Sequence, residues 1–192
     1  MTLTKTLKSL TRLSLATTLA FAAVNVAADP VSGQMVPATI ATAEQLVQEG
    51  NDIHYKNWQA RNLTNKLRIV NHLNAALGVD TINRELFEQL DNLQLDNERF
   101  ATLTILNVAD VSSFLQKMAR LQIEDMQRSN SDAEFVLDKE ASVRKAWGLP
   151  NKGASITLVD ARGIVVAHRN GQLSSEEINT FIELVQQRLS NF

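Results

Sequence analysis

A chain of 192 residues, 44% hydrophobic and 21% charged, is one domain's worth of sequence and long enough to bury a single core. Its formal charge is −2, with no block of Lys or Arg, so it lacks the electrostatic footprint of a nucleic-acid-binding protein. It contains no cysteine, which excludes disulfides, thiolate catalysis and cysteine-ligated metal.

The first 28 residues read as a separate object. Lys5, Lys8 and Arg12 form a positive start without acidic residues, and Leu13 to Val24 is mostly Leu, Ala and Val. Val26-Ala27-Ala28 then places small residues where a signal peptidase reads. Together these are the marks of a secretory signal peptide. The apolar run is shorter than the roughly 20 residues a spanning helix needs. No cysteine follows the cleavage point, so lipid attachment there is excluded. The expected division is a signal peptide over 1–28 and one domain over 29–192. Loss of the leader's three cations takes the formal charge from −2 to about −5. No later segment is long and apolar enough to span a membrane, so no membrane association is expected after cleavage.

Along the remaining chain, Val36 to Ile40 reads as a short edge strand, since Pro37 forbids a central one. Gln48 to Asp52 is a turn, and Tyr55 to Asn65 carries Trp58 and Leu63 among polar residues. Leu67 to Leu73 is the clearest strand of the first half. A loop over Asn74 to Val79 leads into a helix, with Asp80 placed to cap it and Ile82, Leu86, Leu90 and Leu93 at helical spacing. Phe100 to Val108 is a second strand. Ser113 with Gln116 matches a capping box, and Phe114, Leu115, Met118, Leu121 and Met126 give the following helix its apolar side. Phe135 to Leu137 is a brief strand. Asp138 leads into a short helix through Trp147, closed by Gly148 and Pro150. Ser155–Val159 and Ile164–His168 form a hairpin about Asp160-Ala161-Arg162-Gly163. Ser174 with Glu177 is another capping box, and Leu173 with Ile178 a hydrophobic staple, opening the last helix. The first two strands need a crossover helix and should be parallel. The result is an α/β fold: a mixed sheet with helices on both faces.

Several stretches look familiar. Gly33-x-x-x-Pro37 and Leu63 to Asn71 resemble the opening of peroxiredoxin and TlpA-type thiol–disulfide oxidoreductases. Phe135 to Asp138, the helix ending at Trp147, and Ala154 to Gly163 resemble the rest of that core. Over the whole domain the chain is more similar still to the YtfJ family of small exported bacterial proteins, through Tyr55 to Trp58, Val70 to Leu73, Phe135 to Asp138, and Ser155 onward. The resemblance implies a periplasmic protein with a thioredoxin-like three-layer sandwich, and it implies no activity. The Cys-x-x-Cys pair of the redox relatives would fall near Leu77 and Asp80. Their cis-proline would fall at Ala154, where a trans bond is expected because a cis peptide before a non-proline residue costs roughly 2.5–4 kcal/mol. Thiol redox chemistry is therefore not expected.

Other chemistry is sparse. His72 lies near the carboxyl end of the first core strand, where ligands bind in open α/β sheets. It reads either as a group poised near neutral pH or as a histidine packed beneath the loop. His54 adjoins Tyr55 and Trp58, and His168 ends a hairpin strand and reads as solvated. No histidine pair has metal-ligand spacing, no Gly-x-Ser-x-Gly is present, and no glycine-rich phosphate loop appears. No catalytic residue, metal or cofactor is assigned. The candidate binding edge is Asn71, His72, Asn74, Gly78 and Asp80, with Asn107 and Asp110 beside it. The leading expectation is a role in binding, with an unknown periplasmic protein or a small molecule as partner. An enzyme using His72 as acid or base, oriented by Asp80 or Asp110, is a second reading. A structural or assembly role is a third, and an exposed Trp58 or Phe114 in an apolar patch would favour it.

Overall fold

The structure is a computed structural model that describes residues 30–37 and 43–191. The stretch expected to be a leader with its cleavage point, and Ala38 to Ile40 of the expected edge strand, lie outside those residues. Seven strands form one sheet in the order β2-β1-β5-β4-β3-β6-β7. They are β1 Ala43–Glu49, β2 Asp52–Asn57, β3 Leu67–Asn74, β4 Phe100–Asn107, β5 Glu134–Asp138, β6 Ala154–Val159 and β7 Val165–Asn170. β3, β4 and β5 run parallel, while β1 and β6 flank them antiparallel and β2 and β7 close the edges as hairpins. Four helices complete the fold: α1 Arg84–Asn92, α2 Ser113–Ser129, α3 Ser142–Ala146 and α4 Ser175–Ser190.

The layers follow from the direction of the crossovers. β3 to β4 to β5 steps the same way twice, so right-handed connections place α1 and α2 on one face. Leu86 and Leu90 of α1 accordingly pack with Ile69 and Phe100, and Ile178, Phe181 and Val185 of α4 join them. Ile123 of α2 packs with Phe135 and Leu137. The opposite face of the sheet, carrying Val70, Leu103, Ile105 and Val136, is covered by Val143 and Trp147 of α3 with Trp58, Leu63 and Val36. Helices thus lie on both sides of a mixed sheet, as expected.

Local chemistry fixes several boundaries. Ser174 and Glu177 form the expected capping box at α4, and Leu173 and Ile178 share a cluster. Gly163 takes φ 79° in the β6–β7 turn, and its missing Cβ leaves room for the Leu63 carbonyl, which a Cβ would meet at 3.3 Å. The Asp138 carboxylate accepts from the Ser142 and Val143 N–H groups and so holds the start of α3. Trp147 is fully buried and donates its indole N–H to the Pro37 carbonyl.

Three expectations change. Of the edge strand expected over Val36 to Ile40, the described residues Val36 and Pro37 lie in no strand, with only an isolated bridge, Met35 to Ile164, beside them, and among the described residues one edge of the sheet is the unforeseen β1–β2 hairpin. Its turn was legible, but Ala43–Glu49 is rich in residues that do not favour strands and owes its conformation to pairing with β2 along its length and with β5 at its start. Asp80 does not cap α1. It sits in a 3-10 turn, Val79–Thr81, and the residue before α1 is Asn83 at φ 90°. The cap of α2 is Ser112 and not Ser113, with its Oγ accepting from the Leu115 N–H.

Candidate functional site

The carboxyl ends of β3, β4 and β5 present Asn74, Asn107 and Asp138 side by side in the sheet. These polar residues are structural. Asn107 donates to the Asn74 carbonyl oxygen at 2.8 Å, and its own Oδ1 accepts from the Ala109 N–H. Asn74 in turn donates to the Pro150 and Gly153 carbonyls. Both asparagines are buried, and they lock the β3 end to the β4 end and to the loop before β6. Asp110 is tied to Arg144 at 3.7 Å. Asn71 is buried at the margin of accessibility, and its side-chain oxygen lacks a hydrogen bond.

His72 is 1% exposed. It pairs with Ile105 on one side and Ser155 on the other within the sheet, and neither ring nitrogen has a hydrogen bond. Burial disfavours its cation and lowers its pKa from 6.5 to about 4; the nearby Asp138 carboxylate opposes the shift and the Arg144 guanidinium adds to it. Among the described residues no hydrogen bond or ion pair joins His72 to Asp80 or Asp110. The histidine is a neutral packed side chain at neutral pH. His168 is half-buried beside Thr157, whose hydroxyl lies 2.9 Å from its Nδ1, and Trp58 is in the core at 2% exposure.

The concave surface lies one step away. The β3–α1 loop folds over Gly78, held at φ 77°, and Thr81 Oγ1 donates to the Gly78 carbonyl. Val79 anchors the loop against Leu73 and Ala154. Between this loop and α2 runs a groove of about 160 Å³. Leu73, Thr104 and Leu106 line it from the sheet, Ala75 to Leu77 from the loop, and Leu115, Met118, Ala119, Ile123 and Met126 from α2. Asp80 is its one charged lining residue. Of the sequence candidates only Asp80 lines this groove, with Gly78 shaping the loop above it. Asn71, His72, Asn74, Asn107 and Asp110 do not line it.

Helix α2 supplies what the sequence reading missed. Its expected apolar side faces out: Phe114 is 71% exposed, Met118 50% and Leu121 47%. Leu77, at the loop tip, is wholly exposed. The helix is held instead through Ile123 and Gln127. Periodicity detects an apolar stripe but does not say whether it faces the core. On its other flank α2 is tied to β2, where Arg120 stacks on the Tyr55 ring at 4.6 Å and hydrogen-bonds Glu124. Burial, reinforced by the Glu124 carboxylate, pushes the Tyr55 hydroxyl up to about 12. Among the described residues no group of His, Asp or Glu could hold a metal ion, and no helix is long and apolar enough to cross a membrane.

A parallel core of three strands, extended antiparallel on both sides and layered between helices, with a loop at the end of β3 that leads into α1, is the thioredoxin-like fold. Among solved structures the chain is similar to a thiol-disulfide isomerase from Corynebacterium glutamicum, with a TM-score of 0.55, 13% identity, and 78% of this chain and 96% of that chain covered. It is similar also to the thioredoxin domain of a thiol-disulfide oxidoreductase from Bacteroides vulgatus, at TM-score 0.53 and 17% identity over 81% of this chain and 98% of that one. At such identities the likeness is one of fold. Residues 31–188 match the family described as a bacterial protein of unknown function, YtfJ_HI0045, and the chain belongs to that family. It is 26% identical over 159 residues to the uncharacterized protein YtfJ of Escherichia coli (strain K12), covering 82% of this chain and 86% of the relative. An uncharacterized protein of Haemophilus influenzae is 27% identical over 141 residues, covering 73% and 77%. With no cysteine in the chain, thiol exchange has no nucleophile. The described peptide bonds include no cis bond, so Ala154 follows a trans one, as expected.

Proposed function

We propose that this chain is a periplasmic protein that uses a thioredoxin-like fold for binding instead of thiol redox chemistry, and that its contact surface is the α2 face with the groove beside it. The observation that carries the reading is the exposed apolar side of α2. Phe114, Met118 and Leu121 are exposed at helical spacing on one side of α2, and Leu77 is exposed across the groove that Met118 also lines; apolar side chains exposed together in this way mark interaction sites. The leader sequence Met1 to Ala28 supports export. A small molecule would fill the groove and leave Phe114 and Leu121 wet, since neither lines it. A protein partner covers both, so the binding reading narrows to protein–protein contact.

An assembly role is the second reading, and the 71% exposure of Phe114 favours it specifically. The enzyme reading centred on His72 has no support from its surroundings: the imidazole is buried, neutral and not among the residues that line the groove.

The test is photo-crosslinking in living cells with a photoreactive phenylalanine at Met118, compared with the same residue at Glu183, an exposed position on α4. Crosslinked protein adducts at position 118 above those at 183 are expected. Equal, background-level crosslinking at both positions removes the proposal.

A further inference from the structure

We infer that the partner covering the α2 face is a second copy of this chain, and that the protein is an isologous homodimer joined through α2 and the β3–α1 loop. The inference rests on the proposed reading of this face as a contact surface and names its occupant.

Area is the first argument. Phe114, Leu115, Met118, Leu121, Met126 and Leu77 are between 39% and 101% exposed. Together they offer on the order of 700 Å² of apolar side chain, against about 300–600 Å² for the largest apolar patch of an ordinary monomer. About 800 Å² per partner is what a standard stable interface buries. The patch on one copy is therefore close to the size that a second copy needs.

Shape is the second. A two-fold interface must be complementary to itself, because each patch meets its own duplicate. This face carries both halves of such a fit. Phe114 projects from the first turn of α2, and the groove of about 160 Å³ is a hollow on the same face, of a size to receive an aromatic side chain. A patch that was only ridge or only hollow would suit a different protein better than its own copy.

Charge is the third. Asp80 lines the groove, and Lys117 lies on α2 between Phe114 and Leu121 in sequence. Both are exposed, and neither takes part in an ion pair among the described residues. A rim of one sign would repel its duplicate, whereas a rim with one free carboxylate and one free ammonium can pair across a two-fold axis. Methionines 118 and 126 add unbranched, polarizable side chains that adapt at such contacts.

The test is sedimentation velocity on the protein expressed from its full sequence, with Phe114→Glu on the ridge, Leu77→Asp on the loop and Glu183→Lys on the opposite side of α4 as a control. The expected result is dimer mass for the unaltered chain below about 100 µM. Each of Phe114→Glu and Leu77→Asp should raise the dissociation constant at least tenfold with unchanged circular dichroism, and any drop in melting temperature should vanish at concentrations where the unaltered chain is also monomeric, while Glu183→Lys should have no effect. Both face positions are exposed, so neither variant should fail to fold. An unaltered chain that stays monomeric overturns the dimer, and so does a dimer indifferent to both face variants. Anilinonaphthalene sulfonate fluorescence on a monomeric chain separates the two levels. Dye binding that Phe114→Glu and Leu77→Asp reduce leaves the contact surface standing with a different occupant. A monomer that binds no dye removes the contact surface as well.

Discussion

Asn107 donates a 2.8 Å hydrogen bond to the side-chain oxygen of Asn74 across the ends of two parallel strands, and neither residue is available to a ligand. The same Asn74 donates to the Pro150 and Gly153 carbonyls, so one amide ties three chain segments together. Asn107→Ala leaves Asn74 Oδ1 and the Ala109 N–H short of a partner in buried surroundings. It should cost about 1–3 kcal/mol of stability, read by urea denaturation. Asp80→Asn, at an exposed position, should change stability by less than about 0.5 kcal/mol. Equal effects of the two would contradict the assignment of the asparagine pair to structure.

Acid should destabilise the fold through His72. Its folded pKa is about 4 against an ordinary value of 6.5, so the unfolded chain takes up the proton first as pH falls. The stability that the neutral buried imidazole leaves intact is fully present above pH 6.5. It is lost progressively between about 6.5 and 4, to a limit of about 3 kcal/mol at 1.36 kcal/mol per pH unit. Unfolding free energies measured at pH 7 and pH 4 should differ less in His72→Gln than in the unaltered chain. An identical pH dependence in both would mean that the histidine is solvated.

Helix α2 offers an internal contrast. Ile123 is 2% exposed, so Ile123→Ala should lower stability by about 2–5 kcal/mol through lost burial and the cavity left behind. Met118→Lys and Leu121→Lys, half-exposed on the same helix, should each stay within about 0.5 kcal/mol when measured at concentrations where the chain is monomeric. Thermal melts of the three variants distinguish an outward apolar stripe from a core-facing one, which would make all three costly.

Much of the fold was legible from sequence, for identifiable reasons. β3, β4 and the β6–β7 hairpin are dense in β-branched and aliphatic residues, and Ser174 with Glu177 announces α4 by a hydrogen-bond pattern confined to four residues. The β1–β2 hairpin was not legible beyond its turn, because Ala43–Glu49 is mostly Ala, Glu and Gln, residues that do not favour strands, and its strand form comes from cross-strand pairing with β2 and β5. The site was harder. Asn74, Asn107 and His72 are correctly placed near the carboxyl end of the sheet, but sequence does not reveal that the asparagines bond to each other or that the imidazole is sealed. Asp80 reached the groove for a reason other than the cap expected of it. The orientation of Phe114 and Met118 was invisible because a second apolar contact, through Ile123, already satisfies the sheet.

The separation of this fold from thiol chemistry is tested most directly by insulin disulfide reduction with dithiothreitol, followed by turbidity. A chain without cysteine has no thiolate to form the mixed disulfide that exchange requires. The rate with purified protein should equal the rate with dithiothreitol alone. Acceleration proportional to protein concentration would contradict the account.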